Sequence, residues 1–369
     1  MSRTTTFIQE AHSRLTQDIL PFWLSLKDPH GGYFGRGLDT GSPDYRADRG
    51  VIVNAGIIWS FSAAYRTLRK REYLFAASHA KDYFLEHFVD HKYGGVYWAV
   101  DSEGKRTETK ARLSAQAAAI HGLSEFYRVS KDEESLKNAI NIYRILEKNF
   151  LDKENGGYIE ALSRDFKSLP KQSEDETEKT AESHIRLLEA YSHLYRIFPD
   201  EGLKDSIFSL TELICDKMMG ADGLLRLSFS KRWNSLSTVV PLALGLEASG
   251  ILMESAVAVK DIDLINKIRP AATNMAEASL EGYKIDGGII ERRLEDGTPL
   301  EEESRQSLAE AVVGNLRMWK FLLDPEGADR ALHTWDHISS AWKDLPVDFK
   351  GDSPFHETKM CLEILGLFD

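Results

Sequence analysis

The stretch Lys92-Tyr93-Gly94-Gly95-Val96-Tyr97-Trp98 decides the fold, because its centre recurs along the chain. A glycine pair before an aromatic or β-branched residue also stands at Gly31-Gly32-Tyr33, Gly156-Gly157-Tyr158 and Gly287-Gly288-Ile289, with a degenerate copy at Asp222-Gly223-Leu224. Neighbouring copies lie 62 to 66 residues apart, and 63 further residues lead to Gly351. A fixed period of this length is typical of repeat architectures. Six such units account for all 369 residues, which predicts a single domain over residues 1–369.

Each unit continues from its glycine turn into a short extended piece, a loop and two helices. Apolar residues recur at helical spacing over residues 7–26, 57–68, 73–88, 117–127, 136–150, 185–195, 206–218, 242–259, 262–280, 308–323, 328–342 and 355–365. Pairing the first segment with the last closes a ring of six pairs. The pattern therefore predicts an all-α fold, an (α/α)6 barrel with short hairpin-like glycine turns between the helix pairs. The first helix of each pair is richer in alanine and glycine, which suits an inner ring.

Composition narrows the classes of partner. Hydrophobic residues make up 42% of the chain, and 46 Lys+Arg against 58 Asp+Glu give a formal net charge of −12. We expect no nucleic-acid partner, because phosphate binding needs a concentrated basic face. No apolar run reaches the length of a membrane span, and the first residues lead into an amphipathic helix rather than a signal-peptide core. A cytoplasmic protein without a membrane partner, a monomer or a homodimer, is the resulting expectation.

The cysteines and short motifs provide no sign of a metal or nucleotide. Cys215 and Cys361 form neither a disulfide framework nor a zinc spacing. The chain also lacks a phosphate-binding glycine loop before a lysine and an H-E-x-x-H helix. We therefore predict no metal and no cofactor.

Candidate site residues lie in the first turns of the inner helices. All inner helices begin at one end of such a barrel, so these turns converge on one cavity. Carboxylates beside a histidine can carry out general acid/base chemistry there. The candidates are Asn54, Trp59, Arg112, Gln116, Arg186, Glu189, Trp233, Glu247, Arg305, Glu310 and His356. For Glu189, Glu247 and Glu310, hydrogen bonding within the barrel wall is the competing explanation, and His121, amid apolar residues, is expected to be a core histidine.

Several motifs resemble one family of sugar enzymes. These are Pro21-Phe22-Trp23-Leu24, Gly94-Gly95-Val96-Tyr97-Trp98, Leu188-Glu189-Ala190-Tyr191, Leu246-Glu247-Ala248-Ser249 and Met360-Cys361-Leu362-Glu363. They are similar to cellobiose 2-epimerases of the N-acylglucosamine 2-epimerase superfamily, over nearly the whole chain. The resemblance implies an (α/α)6 barrel, a sugar in its cavity, and neither metal nor redox cofactor. It also implies removal of the proton α to the carbonyl of a ring-opened sugar, with a histidine reprotonating the opposite face or the neighbouring carbon.

Part of the family's site is matched in this sequence. The resemblance places the last-helix catalytic histidine on His356 and the fourth-helix and fifth-helix glutamates on Glu247 and Glu310. The third-helix glutamate is Glu189, and the second-helix glutamine is Gln116.

Other positions of the family's site are substituted. The family's fourth-helix histidine falls on Leu244, its third-helix histidine on Arg186 and its first-helix arginine on Gly56. Three tryptophans of the family's site fall on Arg305, Gln306 and Gly351. Leucine carries no titratable proton and arginine is a poor base at neutral pH, so a two-histidine relay cannot operate here. Ordinary 2-epimerisation of cellobiose or N-acetylglucosamine is therefore not expected.

Three hypotheses remain open. The first is a divergent sugar epimerase or isomerase, with His356 and His184 or Glu247 as acid and base and Arg186 stabilising an enediolate. The second is a hydrolase, lyase or dehydratase that uses Glu247 and Glu310, or Glu182. The third is a non-catalytic sugar-binding protein.

The predicted substrate is a sugar or a sugar acid, because Arg186 and Arg305 at inner-ring positions predict a cationic cavity. The alternative is that neighbouring glutamates neutralise both arginines. His184 precedes Arg186 by two residues, about 200° around a helix, and is therefore expected to face away from the cavity.

Overall fold

Two concentric rings of helices make up the described part of the chain. The structure, a computed structural model, describes residues 3–35, 43–170, 176–300, 303–342, 347 and 353–366. The inner ring consists of α3 (Val51–Leu68), α5 (Leu113–Ser130), α7 (Ala181–Tyr195), α9 (Leu242–Ala258), α11 (Arg305–Arg317) and α13 (Ser353–Leu365). The outer ring consists of α1 (Arg3–Ser13) with α2 (Leu20–Ser25), α4 (Arg71–His87), α6 (Glu133–Ile145), α8 (Glu201–Leu213), α10 (Ile262–Ser279) and α12 (Gly327–Trp342).

The ring closes as the repeat predicts. Consecutive inner helices pack against each other from α3 to α13, and α13 packs against α3. Each inner helix also packs against an outer partner: α3 on α4, α5 on α6, α7 on α8, α9 on α10, α11 on α12, and α13 on α1. The predicted (α/α)6 barrel is therefore confirmed, including the pairing of the first helix with the last. The single-domain organisation stays a prediction.

The glycine turns form the predicted hairpins. Each is closed by an antiparallel bridge: Lys27 with Tyr33, Val89 with Val96, Leu151 with Tyr158, Met219 with Leu225, and Tyr283 with Ile289. Gly95 has φ +74°, and a Cβ there would lie 2.8 Å from the Oε1 atom of Gln116. Only glycine is free of strain in that left-handed conformation. Gly351, the predicted sixth copy, lies outside the described residues.

Short antiparallel strands lie at the end of the barrel where the inner helices begin. They are β1 (Arg49–Gly50), β2 (Ala99–Val100), β3 (Arg106–Glu108), β4 (Ala111–Arg112), β5 (Ala161–Leu162), β6 (Lys179–Thr180), β7 (Ser228–Phe229), β8 (Val239–Pro241) and β9 (Arg292–Leu294). The sheets have the orders β1-β2-β3, β4-β5, β6-β7 and β8-β9. Since β1, β4, β6 and β8 run directly into α3, α5, α7 and α9, they fix where these helices start.

The two rings differ in their polarity because one face of each outer helix lies at the protein surface. In α9, Glu247 is the one charged residue among fourteen buried positions. The outer helices α6, α8 and α10 are capped at their N-termini by Asp132, Asp200 and Asp261, whose carboxylates accept a hydrogen bond from a backbone N–H of the first turn. None of the helices in the described ranges combines the length and the apolar character that crossing a membrane requires.

Candidate active site

An open cavity of about 720 Å³ lies at the end of the barrel where the inner helices begin. This volume is within the range of small-molecule sites. The inner helices line it with side chains spaced three or four positions apart, which share one helix face. Helix α5 contributes Ser114, Ala117, Ala118 and His121, α7 contributes Glu182, Ser183, Arg186 and Glu189, and α11 contributes Gln306 and Glu310. Phe355 and His356 of α13 and Leu244 of α9 also line the cavity.

The structure brings five of the eleven candidate residues to this cavity. Those five are His356, Glu310, Arg186, Arg112 and Glu189. The expectation that the remaining six candidates face the cavity is corrected, because they do not line it. These six are Glu247, Asn54, Trp59, Gln116, Trp233 and Arg305. In each case a nearer partner within the protein holds the side chain.

Gln116 and Trp233 serve the glycine turns of neighbouring units. The Oε1 atom of Gln116 accepts a hydrogen bond from the Val96 N–H, and its Nε2 donates to the Val96 carbonyl, both at 2.9 Å. The Nε1–H of Trp233 donates to the Asn155 carbonyl at 2.9 Å, and the Lys179 ammonium lies 4.5 Å above its ring. With their polar atoms engaged in this way, both residues brace the fold.

Asn54 and Trp59 lie one layer behind the wall. The Nδ2 of Asn54 donates to the Gly50 carbonyl at 2.9 Å, within the first turn of α3. Trp59 packs against the rings of His121 and Phe355, with ring centroids 5.5 and 5.3 Å away. Trp59 therefore supports two residues of the cavity wall from behind.

A network of buried charges forms the floor. Arg186 donates to Glu247 at 2.7 Å and to Glu310 at 2.9 Å. Beneath it, the Lys359 ammonium donates to Glu189 at 2.5 Å and to Glu247 at 2.8 Å. Burial alone would raise the pKa of Glu247, but Arg186 and Lys359 hold that pKa well below its usual value. Glu247 is thus a fixed anion behind the wall, which argues against the predicted acid/base role.

The expectation of a cationic cavity is wrong. Arg305 is not among the residues that line the cavity, and it pairs with Glu357 at 3.2 Å. Arg186 does reach the cavity, but Glu247 and Glu310 neutralise it. Carboxylates outnumber guanidinium groups along the wall: Glu160, Glu182, Glu189, Glu291 and Glu310 stand against Arg112, Arg186 and Arg292.

Glu310 and His356 form the titratable pair on the wall. The Nδ1 atom of His356 lies 3.6 Å from Oε1 of Glu310, which also accepts hydrogen bonds from Arg186 and, at 2.9 Å, from Gln306. Burial and the Glu247 carboxylate raise the pKa of Glu310 to about 7, against the opposing effect of His356. A carboxyl group with this pKa can both donate and accept a proton near neutral pH.

The histidines of α5 and α7 differ in their access to the cavity. His184 faces away, as expected from its helical position: its Nδ1 lies 2.6 Å from the Thr180 carbonyl, and its Nε2 accepts from the Tyr158 N–H at 2.9 Å. His121 is buried, as expected, and its side chain also lines the cavity. The signal for His121 was its spacing of seven residues from Ser114 along a face of small residues.

Lys359 is the other residue that sequence reasoning missed. It lies between Thr358 and Met360 in α13, and only the three-dimensional arrangement shows the two glutamates that it joins. Among the described residues, no three His, Cys, Asp or Glu side chains are grouped so that they could hold a metal ion.

The chain is similar to known sugar enzymes along its length. A profile of the N-acylglucosamine 2-epimerase (GlcNAc 2-epimerase) family matches residues 32–240. A cellobiose 2-epimerase of Bacteroides fragilis is 33% identical over 390 residues, covering 97% of this chain and 98% of the relative. The structure of cellobiose 2-epimerase from Bacillus thermoamylovorans B4167 superimposes with a TM-score of 0.88 at 27% identity, over 98% of this chain and 99% of the other. A D-mannose isomerase of Marinomonas mediterranea is 27% identical over 164 residues, 44% of this chain and 40% of the relative.

Proposed function

The chain belongs to the N-acylglucosamine 2-epimerase family, and on that premise we propose that it is a sugar isomerase or epimerase whose proton transfers depend on His356 and Glu310. One observation carries this proposal: the two groups lie 3.6 Å apart on the cavity wall, and the pKa of Glu310 is raised to about 7. The substrate class follows from the wall, where carboxylates and hydroxyl groups can bind the hydroxyl groups of a neutral sugar.

His356 is the group that takes the proton from C2 of the ring-opened aldose. The C2–H electron pair then forms the C1=C2 bond of an enediol, and O1 receives a proton from Glu310. Return of the proton to C1, with loss of the proton on O2, leaves a ketose. Glu310 takes the O2 proton and is ready to donate again, because a group with a pKa of about 7 is present in both forms at neutral pH.

Arg186 supports this chemistry from the floor. Its guanidinium is partly exposed to the cavity and is held by Glu247 and Glu310 in a fixed position. Burial would lower the pKa of Arg186, but the two glutamates raise it well above its usual value, so the charge is permanent. A guanidinium fixed in this way can donate hydrogen bonds to the developing enediolate without reorganising during the reaction.

The arrangement favours isomerisation over 2-epimerisation. Epimerisation requires proton delivery to the face of C2 opposite to the face that was deprotonated, whereas proton transfer from C2 to C1 can proceed on one face. His356 and Glu310 lie next to each other on the cavity wall. Leu244 of α9, which also lines the cavity, can transfer no proton. We propose that ordinary cellobiose or N-acetylglucosamine 2-epimerisation is therefore weak, and that an aldose–ketose pair is the better substrate.

No specific observation supports either of the two alternative hypotheses, a hydrolase-type enzyme or a non-catalytic binding protein. A hydrolase based on Glu247 and Glu310 would need both carboxylates at the wall, and Glu247 lies behind Arg186. A mere binding protein has no need for a carboxyl group with a pKa of about 7 beside a histidine. Function without a cofactor or metal, the cytoplasmic location, and the monomeric or dimeric state stay predictions.

Incubation of the purified protein with glucose, mannose, N-acetylglucosamine and cellobiose in heavy water tests the proposal. NMR spectroscopy should show a ketose product from at least one aldose, with solvent deuterium at C1. Cleavage of cellobiose would instead support a hydrolase. Saturable sugar binding without exchange or product would support a binding protein, and either result would contradict the proposed reaction.

A further inference from the structure

One side of the cavity wall carries no polar side chain. The residues of α3 that line the cavity are Ile52, Val53, Ala55 and Gly56. Ile52 and Val53 lie four and three positions before Gly56, so the three residues share one helix face. Both aliphatic side chains are only partly buried, although they belong to an inner helix. Partly exposed aliphatic side chains on a cavity wall favour an apolar group of a ligand.

An aromatic ring continues this surface at each end. Phe355 is partly buried and packs on Gly56, since a Cβ at Gly56 would lie 3.3 Å from the Phe355 Cδ2 atom. The Phe355 ring lies 5.2 Å from the ring of His356. At the other end, the Trp98 carbonyl accepts a hydrogen bond from the Val51 N–H at 2.9 Å, which places Trp98 at the start of α3. We call the five cavity-lining residues Phe355, Gly56, Val53, Ile52 and Trp98 the apolar track.

The polar partners for a sugar lie on a different side of the cavity. Helix α7 lines the cavity only with polar residues, namely Glu182, Ser183, Arg186 and Glu189. The Ser183 Oγ donates at 2.7 Å to Glu160, which also lines the cavity. Helix α5 packs between α3 and α7 and contributes the small side chains of Ser114, Ala117 and Ala118. The cavity is therefore divided into an apolar side and a side rich in hydrogen-bonding groups.

A hydroxyl group and a methyl group would fare differently on the apolar track. A hydroxyl placed against Ile52 and Val53 loses water and gains no hydrogen bond from these two side chains, which is unfavourable. A methyl group in the same place is stabilised by its removal from water. A charged residue does contact the track at Trp98: the Arg112 guanidinium lies 4.8 Å above the indole ring, and it donates to Glu108 at 2.9 Å.

We propose that the substrate is a 6-deoxyhexose, whose C6 methyl group packs on Ile52 and Val53 while its hydroxyl groups face α7. This inference rests on the proposed function, because it places C1 and C2 of the sugar at His356 and Glu310. Gly56 and Ile52 are about one helical turn apart, roughly 6 Å along the axis. The apolar track therefore runs from the acid/base pair over about the reach of the remaining carbon chain. An ordinary hexose would place its O6 against the same aliphatic side chains.

Pairs of sugars that differ only in the hydroxyl group at C6 test this inference on the wild-type protein. The pairs are 6-deoxyglucose with glucose, rhamnose with mannose, and fucose with galactose, each in its D and its L form, and kcat/KM is measured for every sugar. We expect the deoxy sugar to be preferred by about 10- to 10²-fold in at least one pair, the range in which an apolar pocket rejects an added hydroxyl group. A kcat/KM for the hydroxymethyl sugar that equals or exceeds that of the deoxy sugar in every pair would overturn the inference.

A substitution on the apolar track tests where the methyl group lies. Ile52→Gln offers an amide to O6 and should reduce the preference for the deoxy sugar at least about fivefold, mainly by raising kcat/KM for the hydroxymethyl sugar. Ile262→Gln is the matched control, since Ile262 is 72% exposed at the start of α10 and does not line the cavity. It should leave the preference unchanged, and Tm measurements show that both variants fold.

An unchanged preference in a folded Ile52→Gln variant would place the methyl group elsewhere and contradict the inference. If that variant does not fold, the wild-type pairs decide alone. A wild-type protein that converts none of these sugars would overturn the proposed function as well. One that isomerises hexoses without preferring a deoxy sugar would overturn this inference and leave the proposed function standing.

Discussion

Glu310→Gln should inactivate the protein and yet stabilise it at alkaline pH. The substitution keeps the shape of the side chain and its capacity to accept from Arg186 and Gln306, but it removes the proton that the reaction needs. We expect kcat to fall by about 10²–10⁴-fold, the usual effect of losing one acid/base group.

The stability effect follows from the raised pKa of Glu310. Because the folded protein holds this proton up to a pH of about 7 and an unfolded chain releases it near 4.5, wild-type stability falls as the pH rises between these values. This difference between the pKa of Glu310 in the folded and in the unfolded state corresponds to about 3 kcal/mol in the free energy of unfolding. Glutamine does not titrate, so Glu310→Gln should equal the wild type near pH 4.5 and exceed it by up to about 3 kcal/mol at pH 8. For a chain of this length that difference corresponds to about 4 °C in Tm.

Thermal unfolding of both proteins at pH 5 and pH 8 measures this difference. Glu182→Gln is the control, since it removes a carboxylate from the same cavity at a solvent-exposed position and should show no comparable gain at pH 8. A Glu310→Gln variant whose stability relative to the wild type is the same at both pH values would refute the raised pKa. A variant with wild-type kcat would refute the catalytic role of Glu310.

Three further substitutions test separate parts of the site. His356→Asn should lower kcat at least about 10²-fold in a steady-state assay while circular dichroism shows an unchanged fold; full turnover would exclude His356 as the base. Lys359→Met should destabilise the protein by about 3–5 kcal/mol in urea unfolding, because it leaves two buried carboxylates without their shared cation; a loss below about 1 kcal/mol would show that the network relaxes. Trp233→Phe should leave kcat/KM within twofold and cost about 1 kcal/mol through the lost hydrogen bond to Asn155, whereas a large rise in KM would restore Trp233 to the substrate site.

The barrel could be predicted from the sequence because its determinants are local and periodic. Each glycine turn needs a left-handed conformation, and each helix shows its apolar spacing over a few turns. The starts of the inner helices were less well predicted: α3 begins at Val51 and α5 at Leu113, four to six residues before the segments found from the spacing. In these first turns the polar residues Asn54, Ser114 and Gln116 interrupt the apolar pattern.

The site could be predicted only in part because side-chain partners are long-range. The sequence placed Gln116 and Arg305 in the correct turns, but Val96 and Glu357, both distant in sequence, engage their side chains. It equally gave no sign that Lys359 would lie under two glutamates. Residues such as Glu310 were found because helical register and the family resemblance agree at that position.

An aldose carrying deuterium at C2, incubated in ordinary water, tests the central claim most directly. If His356 and Glu310 act as one locus on one face of the enediol, the product is a ketose in which part of the deuterium appears at C1, carried there by the base. Mass spectrometry and NMR spectroscopy of the product distinguish the positions. A product that is mainly the C2 epimer, with a solvent proton at C2, would contradict the account, since it would require a second proton donor on the opposite face.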